Sequence, residues 1–382
     1  MSFEREDLYF PPIHDRIDGG GRDLSRWLIA YLNFREKDDT TQQQAKDYLD
    51  QIGQNSSLFA ARFRGTLIGM ALGDSLGATL DFNAQSSPLA TTEVTENPLD
   101  LISGGWTGST SMAICLAYSL IREKWFSKYD QMNLYMQWWK YDAFRINKKN
   151  REKTFGMSDT VIAALKRYES TGELDAGDPS PSATGSEALM RVAPAVLFYF
   201  GNVKGCIGSS GGISRATHKS EKAIASCKYL GALLFGAIRG YSKEELTEGL
   251  FEPYPGAWNE HALEAEVINI VKTAHLKTYN EIKSDGYITH TLEAAIWVFH
   301  NASSFEEGMM LVISLPGSHK NALASVYGKL AGAFYGEHNI NPEWIKKTPA
   351  FHAFYYYADR LLRYGISDAP LLFLDENTHF MP

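Results

Sequence analysis

Apolar residues recur at helical spacing along most of this chain. Phe59, Phe63, Leu67 and Met70 lie three or four apart, as do Leu323, Val326, Tyr327, Leu330 and Phe334. That repeat places side chains on one face of a 3.6-residue helix. The strict alternation of a half-buried strand is scarce. The pattern predicts an all-α body over residues 58–382, a compact multi-helix domain. Residues 1–57 read differently. They carry Pro11-Pro12, the run Gly19-Gly20-Gly21 and the polar stretch REKDDTTQQQ, with short helical patterns at Leu24–Asn33 and Gln42–Ile52. Such a segment is too small and polar to own a core. It is expected to be an extension, either an arm docked on the surface or a segment that binds a partner or covers a site.

Glycines recur four apart inside the helical patterns, at Gly69/Gly73, Gly236/Gly240 and Gly328/Gly332/Gly336. Each costs about 1 kcal/mol against alanine in a helix interior. The repetition predicts helix backbones that approach too closely for a side chain. The same reading removes GMALGDSLG as a nucleotide fingerprint, since no strand precedes it and the spacing is wrong. No repeat of solenoid length is present. The glycines and serines of GSS and GGIS at 208–214 read as loop residues without the strand-turn-helix context of a nucleophile elbow.

The bulk numbers narrow the function classes. The 382 residues, 44% apolar and 21% charged, are ample for a sizeable core. A net charge of −8 argues against non-specific nucleic-acid binding. No apolar run reaches the length of a membrane helix; the best, Val192–Val203, is broken by Pro194 and Gly201. MSFEREDLYF lacks the apolar core of a signal peptide. Three widely spaced cysteines, Cys115, Cys206 and Cys227, suggest a reducing compartment without a disulfide framework. The expected location is cytoplasmic.

The chemistry-bearing stretches are FRGTLIGMALGDSLGATLDF (63–82), GGWTGSTSMAICLAYSL (104–120), GSEALMRVAPAVLFY (185–199) and GYITHTLEAAIWVF (286–299). The last runs on to PGSHKNALASVYGKLAGAFYG (316–336). In this order, with Thr217-His218 before a helix, they resemble the ADP-ribosylglycohydrolase family, which includes the dinitrogenase-reductase-activating glycohydrolases. The resemblance covers roughly residues 58–345. It implies an all-α fold with a two-metal site that binds ADP-ribose. Active members place two Mg²⁺ ions between a glutamate after the first glycine-rich helix, a Thr-Asp-Asp triplet and an Asp-x-Asp-Thr motif. Hard divalent ions prefer oxygen ligands, and a metal pair can orient ribose hydroxyls and activate water.

Mapped onto this chain, the glutamate position is Asp81, and the triplet is Thr107, Gly108 and Ser109. The helix behind the last motif aligns without a gap, so its two aspartates fall on His319 and Asn321, and its closing Thr on Ala322. Lys320 lies between them. Of the expected carboxylates only Asp81 remains. Each lost charge at about 4 Å is worth about 4 kcal/mol at an effective dielectric of about 20. Both Mg²⁺ ions are therefore expected to be lost, leaving no metal, no cofactor and no catalytic residue. Thr107 and Ser109 are then expected to cap their helix.

The ADP-ribose loop is altered as well. The family's Gly-Asn-Gly is Gly185-Ser186-Glu187 here, followed by Ala188-Leu189-Met190-Arg191. Two orientations of Glu187 stand open: inward, where it would oppose a pyrophosphate, or outward into solvent. Arg191 is expected to pair with a buried carboxylate, Asp74 being one candidate. His218, His290 and His300 are scattered and pair with no nucleophile.

The resemblance leaves competing function classes. One is a catalytically inactive relative that acts by binding a protein partner, with ADP-ribose binding doubtful. Family relatives include immunity proteins against ADP-ribosyltransferase toxins, some with an N-terminal extension that plugs the toxin. Glu4, Glu6, Asp7, Tyr9 and Phe10 suit entry into a cationic NAD pocket. A second is a working ADP-ribosyl hydrolase with unusual ligands, a single metal or a metal-free route through Asp81. A third is a purely structural protein.

Overall fold

The computed structural model describes residues 57–86, 105–141 and 157–365. The extension and its two short helical patterns lie outside the described residues, apart from Ser57, where the first helix begins. Among the described residues there are sixteen α-helices and no β-strand, as the periodicity predicts. They are α1 (Ser57–Ser86), α2 (Gly108–Glu123), α3 (Lys128–Tyr141), α4 (Asp159–Thr171), α5 (Glu187–Met190), α6 (Ala193–Phe198), α7 (Val203–Arg215) and α8 (Glu221–Arg239). There follow α9 (Lys243–Thr247), α10 (Ala257–Glu260), α11 (Ala265–Thr273), α12 (Ile288–Asn301), α13 (Phe305–Ser314), α14 (Lys320–Tyr335), α15 (Pro342–Lys347) and α16 (Phe351–Gly365).

The axis of the body is the pair α1 and α14. From Ala61 to Ala78 α1 is buried on nearly every face, and α14 is buried through Ala333. A helix apolar on all sides belongs inside a protein. Their contact explains most of the recurrent glycines. A Cβ built at Gly65, Gly69, Gly73 or Gly77 would strike the backbone of Gly332, Gly328, Ala324 or Asn321, in that order. Rising numbers on one helix meet falling numbers on the other, so the pair is antiparallel. The step of about four residues keeps the contact on a single ridge.

Three of the recurrent glycines have other jobs. Gly236 sits under the side chains of Leu246 and Phe251, with Leu246 Cδ2 2.6 Å from where a Cβ would be. Gly240 (φ 93°) and Gly336 (φ 77°) close α8 and α14 in backbone conformations that L side chains rarely adopt. The 208–214 glycines and serines are a further correction, because they lie inside α7. There Ser209 and Ser210 bond back to the carbonyls of Gly205 and Cys206, at 2.6 and 2.7 Å. That back-bonding satisfies the buried hydroxyls inside the helix, which Asn202 caps and whose Cys206, Ile207 and Ile213 are buried.

Around the axis, α16 is tied to α1 by Arg64, which donates to both oxygens of Asp359 at 2.6 and 2.9 Å and to Glu337 at 3.0 Å. The hairpin α7–α8 and the pair α2–α3 close the flanks. All three cysteines are buried free thiols. No helix among the described residues is long and apolar enough to cross a membrane.

Candidate functional site

The end of α1, the head of α2 and the head of α14 converge, and Asp74 and Asp81 on α1 serve the two heads. Thr107 is the N-cap of α2, its Oγ1 accepting from the Ser109 N–H at 3.3 Å. Thr107 in turn donates its N–H and its hydroxyl to Asp74 Oδ2, both at 3.0 Å, and Thr110 Oγ1 donates to the same oxygen at 2.6 Å. The capping expectation therefore holds for Thr107, while Ser109 takes part through its backbone. Trp106 braces the turn by donating Nε1–H to Ser111 Oγ at 3.1 Å.

Gly108 occupies the position of the family's first triplet aspartate, and the space above it is filled. A Cβ there would lie 2.6 Å from Trp138 Cη2, closer still to Cζ2, and 3.4 Å from Met157 Cγ. Trp138 is 1% exposed. Sequence reasoning misses both residues, because the contact joins positions thirty and more apart with no local pattern.

At the head of α14, Asp81 accepts from the Lys320 and Asn321 N–H groups, one on each oxygen, at 2.9 and 3.0 Å. Each oxygen thus takes part in capping a helix. His319 is exposed and left-handed (φ 60°), with Nδ1 2.8 Å from Ser318 Oγ and its ring against Gly286. Asn321 is a neighbour of Asp74, and Ala322 is buried. Lys320 lies in the motif but its ammonium turns away from the site. It is buried and donates to the carbonyls of Val312, at 3.1 Å, and of Leu315, capping the end of α13. Burial pulls its pKa down to about 8 against the opposing charge of Asp81.

The loop Gly185-Ser186-Glu187 is stapled on several sides. Ser186 Oγ donates to the Gly286 carbonyl at 2.6 Å and bonds Thr291 Oγ1 at 2.7 Å. Glu187 does not point out into solvent but turns onto a buried histidine. Its Oε2 lies 3.1 Å from His218 Nε2, and Ser158, the N-cap of α4, bonds it as well. His218 Nδ1 bonds Thr217 Oγ1 at 2.8 Å. The expected Arg191–Asp74 pair is also corrected. The guanidinium is fully buried, donates to Thr217 Oγ1, points Nη1 at Met112 Sδ (3.7 Å) and lies 5.7 Å from the centre of the Tyr135 ring. Asp74 instead belongs to the threonines of α2. Met190 is 1% exposed. Elsewhere His290 pairs with Asp285 at 3.0 Å, and His300 bonds Thr247 at 2.8 Å.

Two carboxyls carry opposite electrostatic signatures. Burial pushes Asp74 up to about 6 despite its hydroxyl donors. A carboxyl raised in the folded state favours folding when protonated, so stability falls as pH rises from about 4 to about 6. The change is on the order of 3 kcal/mol. Asp74→Asn, with its oxygen toward the threonines and its amide toward Asn321, is expected to flatten that fall. Urea unfolding of both proteins at pH 4, 5 and 6 checks it; parallel pH dependence in the two would count against the assignment. Glu187 goes the other way. Burial alone would raise it, but His218 and Ser158 hold it down to about 2.

Among the described residues no group of three or more His, Cys, Asp and Glu side chains is arranged to hold a metal ion. An all-α body built on a glycine ladder, with Asp74 and Asp81 beneath two helix heads, matches one family. The family model for ADP-ribosylglycohydrolase matches residues 55–370, and the chain belongs to that family. Among its relatives, the ADP-ribosylarginine hydrolase Tri1 of Serratia proteamaculans (strain 568) is 31% identical over 296 residues, 78% of this chain and 77% of that protein. The ADP-ribosylarginine hydrolase Tri1 of Pseudomonas putida (strain GB-1) is 29% identical over 75% of this chain and 74% of its own length. A solved structure described as an ADP-ribosylglycohydrolase-related protein complex superposes with a TM-score of 0.64 at 30% identity. It covers 81% of this chain and 99% of its own.

Proposed function

We propose that this chain is a non-catalytic member of the ADP-ribosylglycohydrolase family that acts by binding a protein. The observation that carries the reading is the make-up of the metal motifs, where Asp81 is the one carboxylate left and each of its oxygens already accepts an N–H from the head of α14. The remaining motif positions are Gly108, Ser109, His319, Asn321 and Ala322, which bring no carboxylate. These residues do not fit a pair of divalent ions, which need several carboxylate oxygens. The proposed partner is an ADP-ribosyltransferase toxin, with residues 1–57 as the occluding segment, and the proposed location is the cytoplasm.

The activity for which the Serratia and Pseudomonas relatives are named favours a second reading, hydrolysis of ADP-ribosylarginine. One assay separates the two. A protein carrying ADP-ribosyl-arginine is incubated with this chain, with and without Mg²⁺. The non-catalytic reading expects the label to stay in both cases; Mg²⁺-dependent release would return the chain to the hydrolases. In parallel, an ADP-ribosyltransferase toxin that is the partner should be retained by the full chain without divalent ions, and not by a chain lacking residues 1–57.

A further inference from the structure

Trp138 occupies the space above the position where the family carries a metal-binding aspartate. This goes beyond the loss of carboxylates, because a lost ligand leaves a gap and here there is none. Gly108 is the first residue of α2, where an acid is ordinarily favoured by the helix dipole. A side chain at that point would meet the indole at Cζ2 and Cη2, the outer atoms of the ring, and then Met157. The next residue, Ser158, caps α4 and bonds Glu187, which is bound to His218. Residues 138, 157 and 158 thus run from the head of α2 to the Gly185-Ser186-Glu187 loop.

We infer that Trp138 and Met157 form an internal plug that takes the place of a ligand at the head of α2. This rests on the non-catalytic reading and deepens it. The plug joins α3 and the start of α4 to the α1–α2–α14 junction, which Asp74 and Asp81 hold from the other side. Gly108 and Trp138 are therefore a coupled pair. Returning a carboxylate to position 108 fails unless the indole is removed first.

The test is a double-mutant cycle in thermal unfolding, with no ligand present. In the unaltered background Gly108→Asp should lower the melting midpoint by roughly 3 °C or more. Trp138→Leu keeps an apolar side chain but cannot reach the positions of Cζ2 and Cη2. In that background the sign should reverse, Gly108→Asp leaving the midpoint unchanged or raising it. Equal losses in both backgrounds would overturn the plug. Should Trp138→Leu not fold, Gly108→Ala in the unaltered chain decides. A loss supports the plug, and a gain, the ordinary result of replacing a helical glycine, overturns it. Metal-dependent binding of ADP-ribose by the unaltered chain would sink the non-catalytic reading separately, since the cycle involves no ligand.

Discussion

Gly328→Ala is expected to destabilise the fold by about 3 kcal/mol or more, although alanine is the better helix former by about 1 kcal/mol. The reason is the closeness of α1 and α14. A Cβ at position 328 would strike the carbonyl oxygen of Gly69, with the carbonyl carbon and Met309 Cε each 2.8 Å away. Met309 could turn aside, but the Gly69 peptide is fixed within α1. The two helices must part, and parting them disturbs the junctions Gly65–Gly332 and Gly73–Ala324 on either side. It also moves Asp81 away from the head of α14. Urea unfolding reads the loss directly. A neutral or stabilising result would mean that the helices are not in backbone contact.

Glu187→Ala is the second large effect. It removes the Nε2 partner of an imidazole whose side chain is 0% exposed, next to a fully buried arginine. Breaking one side of a buried polar pair costs about 3–5 kcal/mol. Glu187 itself keeps some contact with water, its side chain being 18% exposed, which places the expected loss near about 3 kcal/mol. The pH dependence identifies the source. A carboxyl held down to about 2 in the folded state contributes its stability fully above its unfolded value of about 4.5 and loses it as pH falls toward about 2. The unaltered protein should therefore weaken steeply between those values, and the variant much less. A variant that loses stability equally at pH 3 and pH 7 would show that the pair contributes packing alone.

Much of the fold was legible because burial leaves a periodic trace. The spacing of Phe63, Leu67 and Met70, and of Leu323, Val326 and Leu330, marks two helices that are buried. The four-residue step of the glycines points to their contact, though Gly236, Gly240 and Gly336 follow the same step for other reasons. The serines of α7 misled because their helix is set by the burial of Cys206, Ile207 and Ile213 against its neighbours, which local composition does not reveal. At the site, the residues at 108, 109, 319 and 321 bring no carboxylate, and the capping role of Thr107 could be read directly. The partners could not. Trp138 over Gly108, His218 against Glu187 and the carbonyls around Lys320 are long-range pairings. The sequence placed Lys320 near the site and offered Asp74 as one candidate partner for Arg191. Lys320 turned to the carbonyls at the end of α13, and Asp74 took the hydroxyls of Thr107 and Thr110.

In the proposed non-catalytic chain the family's two-metal, ADP-ribose chemistry is closed. Calorimetric titration of ADP-ribose into the full chain, with and without millimolar Mg²⁺, is then expected to give no binding heat in either condition. Heat that appears only with Mg²⁺ would contradict it and place this chain among the working hydrolases.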